Sequence, residues 1–226
     1  MFLSMRRPLI VAMTAALGLI TLAPLVHADP QSSAREERAK RQAELGHGKV
    51  NKAEAEAEKK PPMYPNATRQ SPEAKASPKT IKSLQAMQEL YEKDDWAGVI
   101  SKADELGGMA SANAYDKAFA YSMAGNAAAN MNDQAKAATY FGKAVDANGL
   151  DNDSHYATMY NLAIIQYGEE KYADALATID RFLAETKSGK ADQLAFRAGV
   201  LAGLNRNDEA AAIYKDLINK NPTDKR

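Results

Sequence analysis

An all-α domain of about four helical hairpins over residues 79–226 is what the sequence predicts, and three observations predict it. From Lys79 onward apolar residues recur at helical spacing, and no strand-like alternation persists. Short Asn, Asp and Gly clusters interrupt that pattern at regular intervals, as tight turns between helices would. The pattern also repeats. Asp133-Gln134-Ala135-Lys136-Ala137 is followed by Phe141 and Ala144, Lys171-Tyr172-Ala173-Asp174-Ala175 by Ile179 and Phe182, and Asn207-Asp208-Glu209-Ala210 by Tyr214, Leu217 and Pro222. The alanines at 137, 175 and 210 stand 38 and 35 residues apart, the period of a stacked helical unit. A weaker copy, Asp95-Trp96-Ala97-Gly98-Val99 with Ala103 and Leu106, lies 38 residues earlier.

Two segments precede the repeats. Residues 1–28 read as a cleavable export signal: Arg6 and Arg7 form a basic start, Leu9 to Leu25 an apolar stretch, and Val26-His27-Ala28 a small-x-small cleavage pattern. An uncleaved anchor is the alternative, disfavoured by Pro24 and by a run shorter than the ~20 apolar residues of a span. Cleavage takes away two of the 29 basic residues and none of the 29 acidic ones. The reading is therefore a periplasmic product with no integral membrane span after cleavage. Residues 29–78 read as a disordered linker. Residues 29–60 hold eight Lys/Arg and seven Asp/Glu, too little apolar area to offset ordering entropy. Five prolines between 61 and 78 favour extended chain. Met63-Tyr64-Pro65 is the one apolar and aromatic spot there, and a docking segment is the sharper alternative.

Within the domain, Ser77-Pro78 reads as a helix cap followed by proline at the first helical position. Gly107-Gly108 reads as a helix stop. The acid pairs Asp94-Asp95, Glu169-Glu170 and Asp208-Glu209 fall just before second helices, where carboxylates cap the positive end. Residues 146–155 read as a loop, with Asp153 or Ser154 capping the helix after it.

The repeats resemble the tetratricopeptide repeat (TPR) family over about 80–222. A small first-helix residue faces a small second-helix residue: Gly125 with Ala137, Ala163 with Ala175, Ala198 with Ala210. Trp96 and Tyr172 occupy an aromatic position, and Pro222 the closing proline. Departures are Met87 or Gln88 at a position that should be small, Arg197 in place of the preferred Leu, and spacings of 38 that place about four extra residues after the second helices of the first two repeats. The resemblance implies a right-handed superhelical solenoid with a concave groove lined by first-helix positions. These map to Phe119, Ser122, Asn126 and Ala129, then Ala157, Tyr160, Ile164 and Tyr167, then Asp192, Ala195, Gly199 and Ala202. The candidate peptide-binding residues are Phe119, Asn126, Asn130, Tyr160, Asn161, Ile164 and Tyr167. Tyrosine and asparagine there supply contact area and hydrogen bonds at low entropy cost. Tyr160 and Tyr167 have an equal alternative as packing between hairpins. A carboxylate clamp, known in some members, lacks its Lys/Arg partners here.

Little else in the sequence suggests chemistry. With no cysteine there is no disulfide, thiolate nucleophile or Cys-based metal site. Neutral charge argues against nucleic acid as a partner. Asp151-Asn152-Asp153-Ser154 lacks the glycine and terminal glutamate of a calcium loop, and His155 stands alone. No catalytic residue, metal or cofactor is expected. The expected role is a noncatalytic adaptor for a protein or peptide partner in the cell envelope. The layout is similar to that of repeat proteins accompanying TonB-type energy-transduction systems. A periplasmic chaperone or self-assembling scaffold is the alternative.

Overall fold

The computed structural model describes residues 61–220. The chain divides into two units, Met1–Lys59 and Lys60–Arg226, and the described residues belong to the second. The signal at 1–28, the charged segment 29–60 and Pro222 lie outside them.

The described chain is an all-α helical solenoid of eight helices: α1 (Ile81–Glu92), α2 (Trp96–Gly108), α3 (Ala114–Asn130), α4 (Gln134–Ala147), α5 (Asn152–Gly168), α6 (Tyr172–Thr186), α7 (Ala191–Gly203) and α8 (Asn207–Lys220). Each helix packs on the next, and α1 also touches α3. The four hairpins are therefore α1–α2, α3–α4, α5–α6 and α7–α8.

One backbone device closes every hairpin. Asp94, Asn132, Glu170 and Asn205 all adopt the left-handed conformation, with φ of 58°, 61°, 58° and 60°. The next residue donates its N–H five residues back each time: Asp95 to Leu90, Asp133 to Ala128, Lys171 to Gln166 and Arg206 to Leu201, all at 2.9 Å. This is the Schellman closure, usually built on glycine and here built without it. Asp95 and Asp133 then cap α2 and α4, accepting from Gly98 N–H and Lys136 N–H. At the third hairpin Lys171 holds the cap position without a side-chain bond, and Glu169 pairs with its ammonium at 2.8 Å. The acid pair expected to cap that helix thus serves the turn instead.

The small residues of the register, Gly125, Ala137, Ala163, Ala175, Ala198 and Ala210, are all buried. Gly125 lies against the ring of Phe141, where a Cβ would stand 2.5 Å from Cδ1. Phe141, Ala128, Ala137 and Leu162 form a small core joining the second and third hairpins. The first hairpin fills its oversized position with Met87, fully buried among Leu84, Val99, Leu106, Ala124 and Ala127. The third and fourth hairpins share the largest core, around Tyr156, Met159, Ile179, Phe182, Val200 and Leu201.

Three sequence expectations change. The wide spacing comes from first helices that are one turn longer, not from residues inserted after second helices: α3 and α5 have 17 residues, α7 has 13. The loop expected at 146–155 narrows to 148–151, because α4 runs to Ala147 and Asp151 itself caps α5 by accepting from Ser154 N–H. At the start of the domain, α1 begins at Ile81 with Thr80 as its cap and no side-chain cap bond. Ser77 instead accepts from the Thr80 N–H and hydroxyl, while its own N–H goes to Asp116.

The structure also departs from the disordered linker that the sequence predicts at 61–78. Tyr64 is 7 % exposed and belongs to the large core. Its neighbours run along the edge of the solenoid made by the inter-hairpin turns. Met63 N–H reaches Asp153 Oδ1 at 3.0 Å, Thr68 N–H the Glu185 carbonyl at 2.8 Å, and the Asn113 carboxamide the Lys75 carbonyl at 2.9 Å.

Candidate functional site

The first helices α3, α5 and α7 carry the residues the sequence singles out. Between α3 and α5 the Ser122 and Thr158 hydroxyls meet at 3.3 Å, and Asn126 donates to the Ser122 carbonyl on its own helix at 3.1 Å. Asn126 is thus half-buried and committed locally. Phe119 stacks on Tyr115 at 5.8 Å and packs on the core of the first two hairpins. Asn130 is half-buried at the last position of α3.

Between α5 and α7 the surface is aromatic. Tyr160 is half-buried, with its ring 5.3 Å from Phe182 and 5.5 Å from Phe196. Desolvation raises its phenol pKa above the ordinary value. Tyr167 meets the same Phe196 at 5.6 Å and Tyr172 at 5.4 Å. It remains 38 % exposed, and Ile164, on the turn before it, 44 % exposed. Asn161 is exposed on the same helix. So the two tyrosines divide: Tyr160 is a packing residue, while Tyr167, Ile164 and Asn161 present an accessible strip.

The sequence reading missed Phe196, which supports both tyrosines. It stands next to Ala195, the assigned α7 position, and the register moved attention one residue away. It also missed Tyr214, from α8, whose hydroxyl donates to the Ala195 carbonyl at 3.4 Å. A Cβ on Gly199 would lie 3.9 Å from the Tyr167 hydroxyl and 4.0 Å from that of Tyr214, so two phenols converge over that glycine.

His155 is not part of this surface. It is fully buried at the start of α5, both ring nitrogens lack hydrogen-bond partners, and burial pushes its pKa down to about 4. Among the described residues no group of three His, Asp or Glu is placed to hold a metal ion, and no helix is long and apolar enough to cross a membrane. An open cavity of about 480 Å³ lies elsewhere, between Pro72–Pro78 and the start of α3, with Tyr115 and Gly149 in its wall.

No protein-family model and no curated protein matches the chain. Solved structures do resemble it. That of PilF from Pseudomonas aeruginosa is 19 % identical, with a TM-score of 0.44, over 62 % of this chain and 60 % of its own. That of the MamA protein is 14 % identical, with a TM-score of 0.40, over 61 % of this chain and 80 % of its own. The chain thus spans less than two thirds of the length of PilF in that structure.

Proposed function

We propose that the protein is a noncatalytic interaction adaptor, exported to the periplasm, that holds a peptide or protein partner on its first-helix face. The observation that carries this reading is the strip Asn161, Ile164 and Tyr167. Its apolar members are exposed, yet they stand on α5, Tyr167 is braced by Phe196 and Tyr172, and the three lie in a row one helical face wide. Rigid aromatic and aliphatic anchors flanked by a carboxamide are the usual means of gripping a peptide at small entropic cost. The extra turn of α5 lengthens that row to Gly168. Association with a TonB-type or other envelope assembly is the narrower form of the proposal and rests on the sequence layout.

The test is a photo-crosslinking amino acid placed at 164 or 167 in cells. A discrete adduct there, absent when the label is at exposed Lys136, supports the reading. Equal labelling at all three positions rejects it. Recovery of a mature chain beginning at Asp29 from the periplasmic fraction tests the export step. A second reading, self-association as a scaffold, draws on Tyr214 and Ile218 of α8, which are 41 % and 49 % exposed on the last described helix. Concentration-dependent sedimentation that Ile218→Asp abolishes would favour it over the adaptor.

A further inference from the structure

The edge that holds residues 63–71 has the properties of a receptor for a separate peptide. One large side chain is inserted. Tyr64 stands edge-on to Tyr156 and Phe182, 5.5 Å from each ring, its hydroxyl takes a hydrogen bond from Gln193 Nε2 at 3.2 Å, and the Lys190 ammonium lies 5.1 Å from its face. The Thr68 N–H then meets the carbonyl of Glu185 near the end of α6. Five residues after Tyr64, the Arg69 guanidinium donates to the carbonyls of Asn148 and Leu150 and to the side-chain oxygens of Asn148 and Asn152, at 2.7–2.9 Å. Pro61, Pro62, Met63, Pro65 and Asn66 around them are exposed. Recognition therefore centres on a tyrosine socket, a main-chain bond and an arginine clamp, with the Met63 N–H on Asp153 and the Asn152 carboxamide on the Arg69 carbonyl beside them. Every group that receives them belongs to the hairpins.

The resident segment leaves the receptor incompletely used. Gln193 Oε1 is buried beside it without a hydrogen-bond partner. Buried polar atoms are ordinarily satisfied, and leaving them unpaired is costly. The cavity beside Pro72–Pro78 continues the same edge and is unfilled by side chains of the segment.

We infer that this edge is a second interaction site, separate from the first-helix face. It is occupied in cis by residues 63–71, and in trans it accepts an extended segment of another protein bearing a tyrosine and, five residues later, an arginine. A second copy of the chain is a poor donor. Its segment would break in its own cleft the contacts it forms in the other, and would add the entropy loss of association. A foreign segment gains by pairing Gln193 Oε1 and by entering the cavity.

The probe is a labelled synthetic peptide of residues 61–72, titrated into the full wild-type chain and into the full Tyr64→Ala chain. A tethered ligand competes at an effective concentration in the millimolar range. The Tyr64→Ala chain is therefore expected to bind the peptide at least about tenfold more tightly than wild type, and a peptide with alanine in place of Arg69 should bind neither. Equal affinity for both chains, or no saturable binding to a Tyr64→Ala chain of wild-type helicity, overturns the proposal. Should Tyr64→Ala lose helicity, the Arg69→Ala chain, which keeps Tyr64 but loosens the clamp, takes its place under the same criteria. A wild-type dimer that the peptide dissociates would make a second copy the donor and overturn the assignment to a foreign protein.

Discussion

Replacing Gly125 by alanine is the sharpest test of how the hairpins are matched. The added methyl would stand 2.5 Å from Cδ1 and 2.6 Å from Cε1 of Phe141, against the ~3.5–4.0 Å of a relaxed carbon contact. The ring would have to retreat by about 1 Å, and it has nowhere to go. Phe141 is 2 % exposed and enclosed by Ala128, Ala137 and Leu162. Overpacking of this kind costs ~1–3 kcal/mol. Alanine recovers up to about 1 kcal/mol of helix propensity relative to glycine. The net expectation is a loss of about 1–2 kcal/mol, or a fall in Tm of ~2–8 °C for a domain of this size. Circular dichroism melts of wild type, Gly125→Ala, Phe141→Leu and the double variant complete a cycle. The smaller side chain should relieve the clash, so the double variant should be more stable than the sum of the singles by about 1 kcal/mol or more. If Gly125→Ala melts at or above wild type, the matching of α3 to α4 described above is refuted.

Other expectations follow from single groups. His155 has a folded pKa of about 4 against an ordinary 6.5, so the unfolded chain binds the extra proton first as pH falls. Its neutral burial therefore leaves stability untouched above pH 6.5 and lowers it progressively between 6.5 and 4, by about 3 kcal/mol at the lower end. A His155→Phe chain should show a flatter dependence of Tm on pH across that window, and an unchanged slope would count against the burial of this ring. Glu170→Gly removes an unfavourable left-handed residue whose side chain is exposed, and should raise Tm by ~1–3 °C. A lower Tm would mean that the closure does not strain this position. Asp116→Ala removes a fully buried carboxylate that accepts from Asn113 and Ser77, and should cost about 2 kcal/mol with faster amide exchange at Ser77. Exchange unaltered at Ser77 would show that this anchor is not needed.

The fold was legible because its determinants are local and repeated. The alanine register at 137, 175 and 210 fixed the second helices, and the Asn and Asp clusters fixed the closures. Asp94, Asn132 and Asn205 are residue types that tolerate the left-handed conformation, and they stand where it is required. Glu170 gives no such signal, and only the repeat spacing places it. The lengths of α3 and α5 were harder to read. Alanine, tyrosine and asparagine continue a helix as readily as they end one, so four extra residues could sit in a helix or in a loop until packing decided.

Residues 61–78 show where sequence composition misleads. Averaged over 29–78, charge and proline argue for disorder, and the average hides the few residues that pack. What orders the segment is a few specific fits: one ring between Tyr156 and Phe182, and one guanidinium over the turn at 148–152. Neither fit leaves a periodic trace, because an extended strand along a row of helix ends has no period to match. The same absence of regular pairing bears on function. A segment knitted into a helix or sheet is released only by unfolding, whereas one held by a socket, a main-chain bond and a clamp can leave while the hairpins keep their cores. Of those cores, only the one shared by the third and fourth hairpins contains Tyr64. Release of residues 63–71 should therefore loosen α5, α6, α7 and the end of α4 locally, and leave the first hairpin as it is. That pattern would mark an exchangeable ligand and not a structural strand.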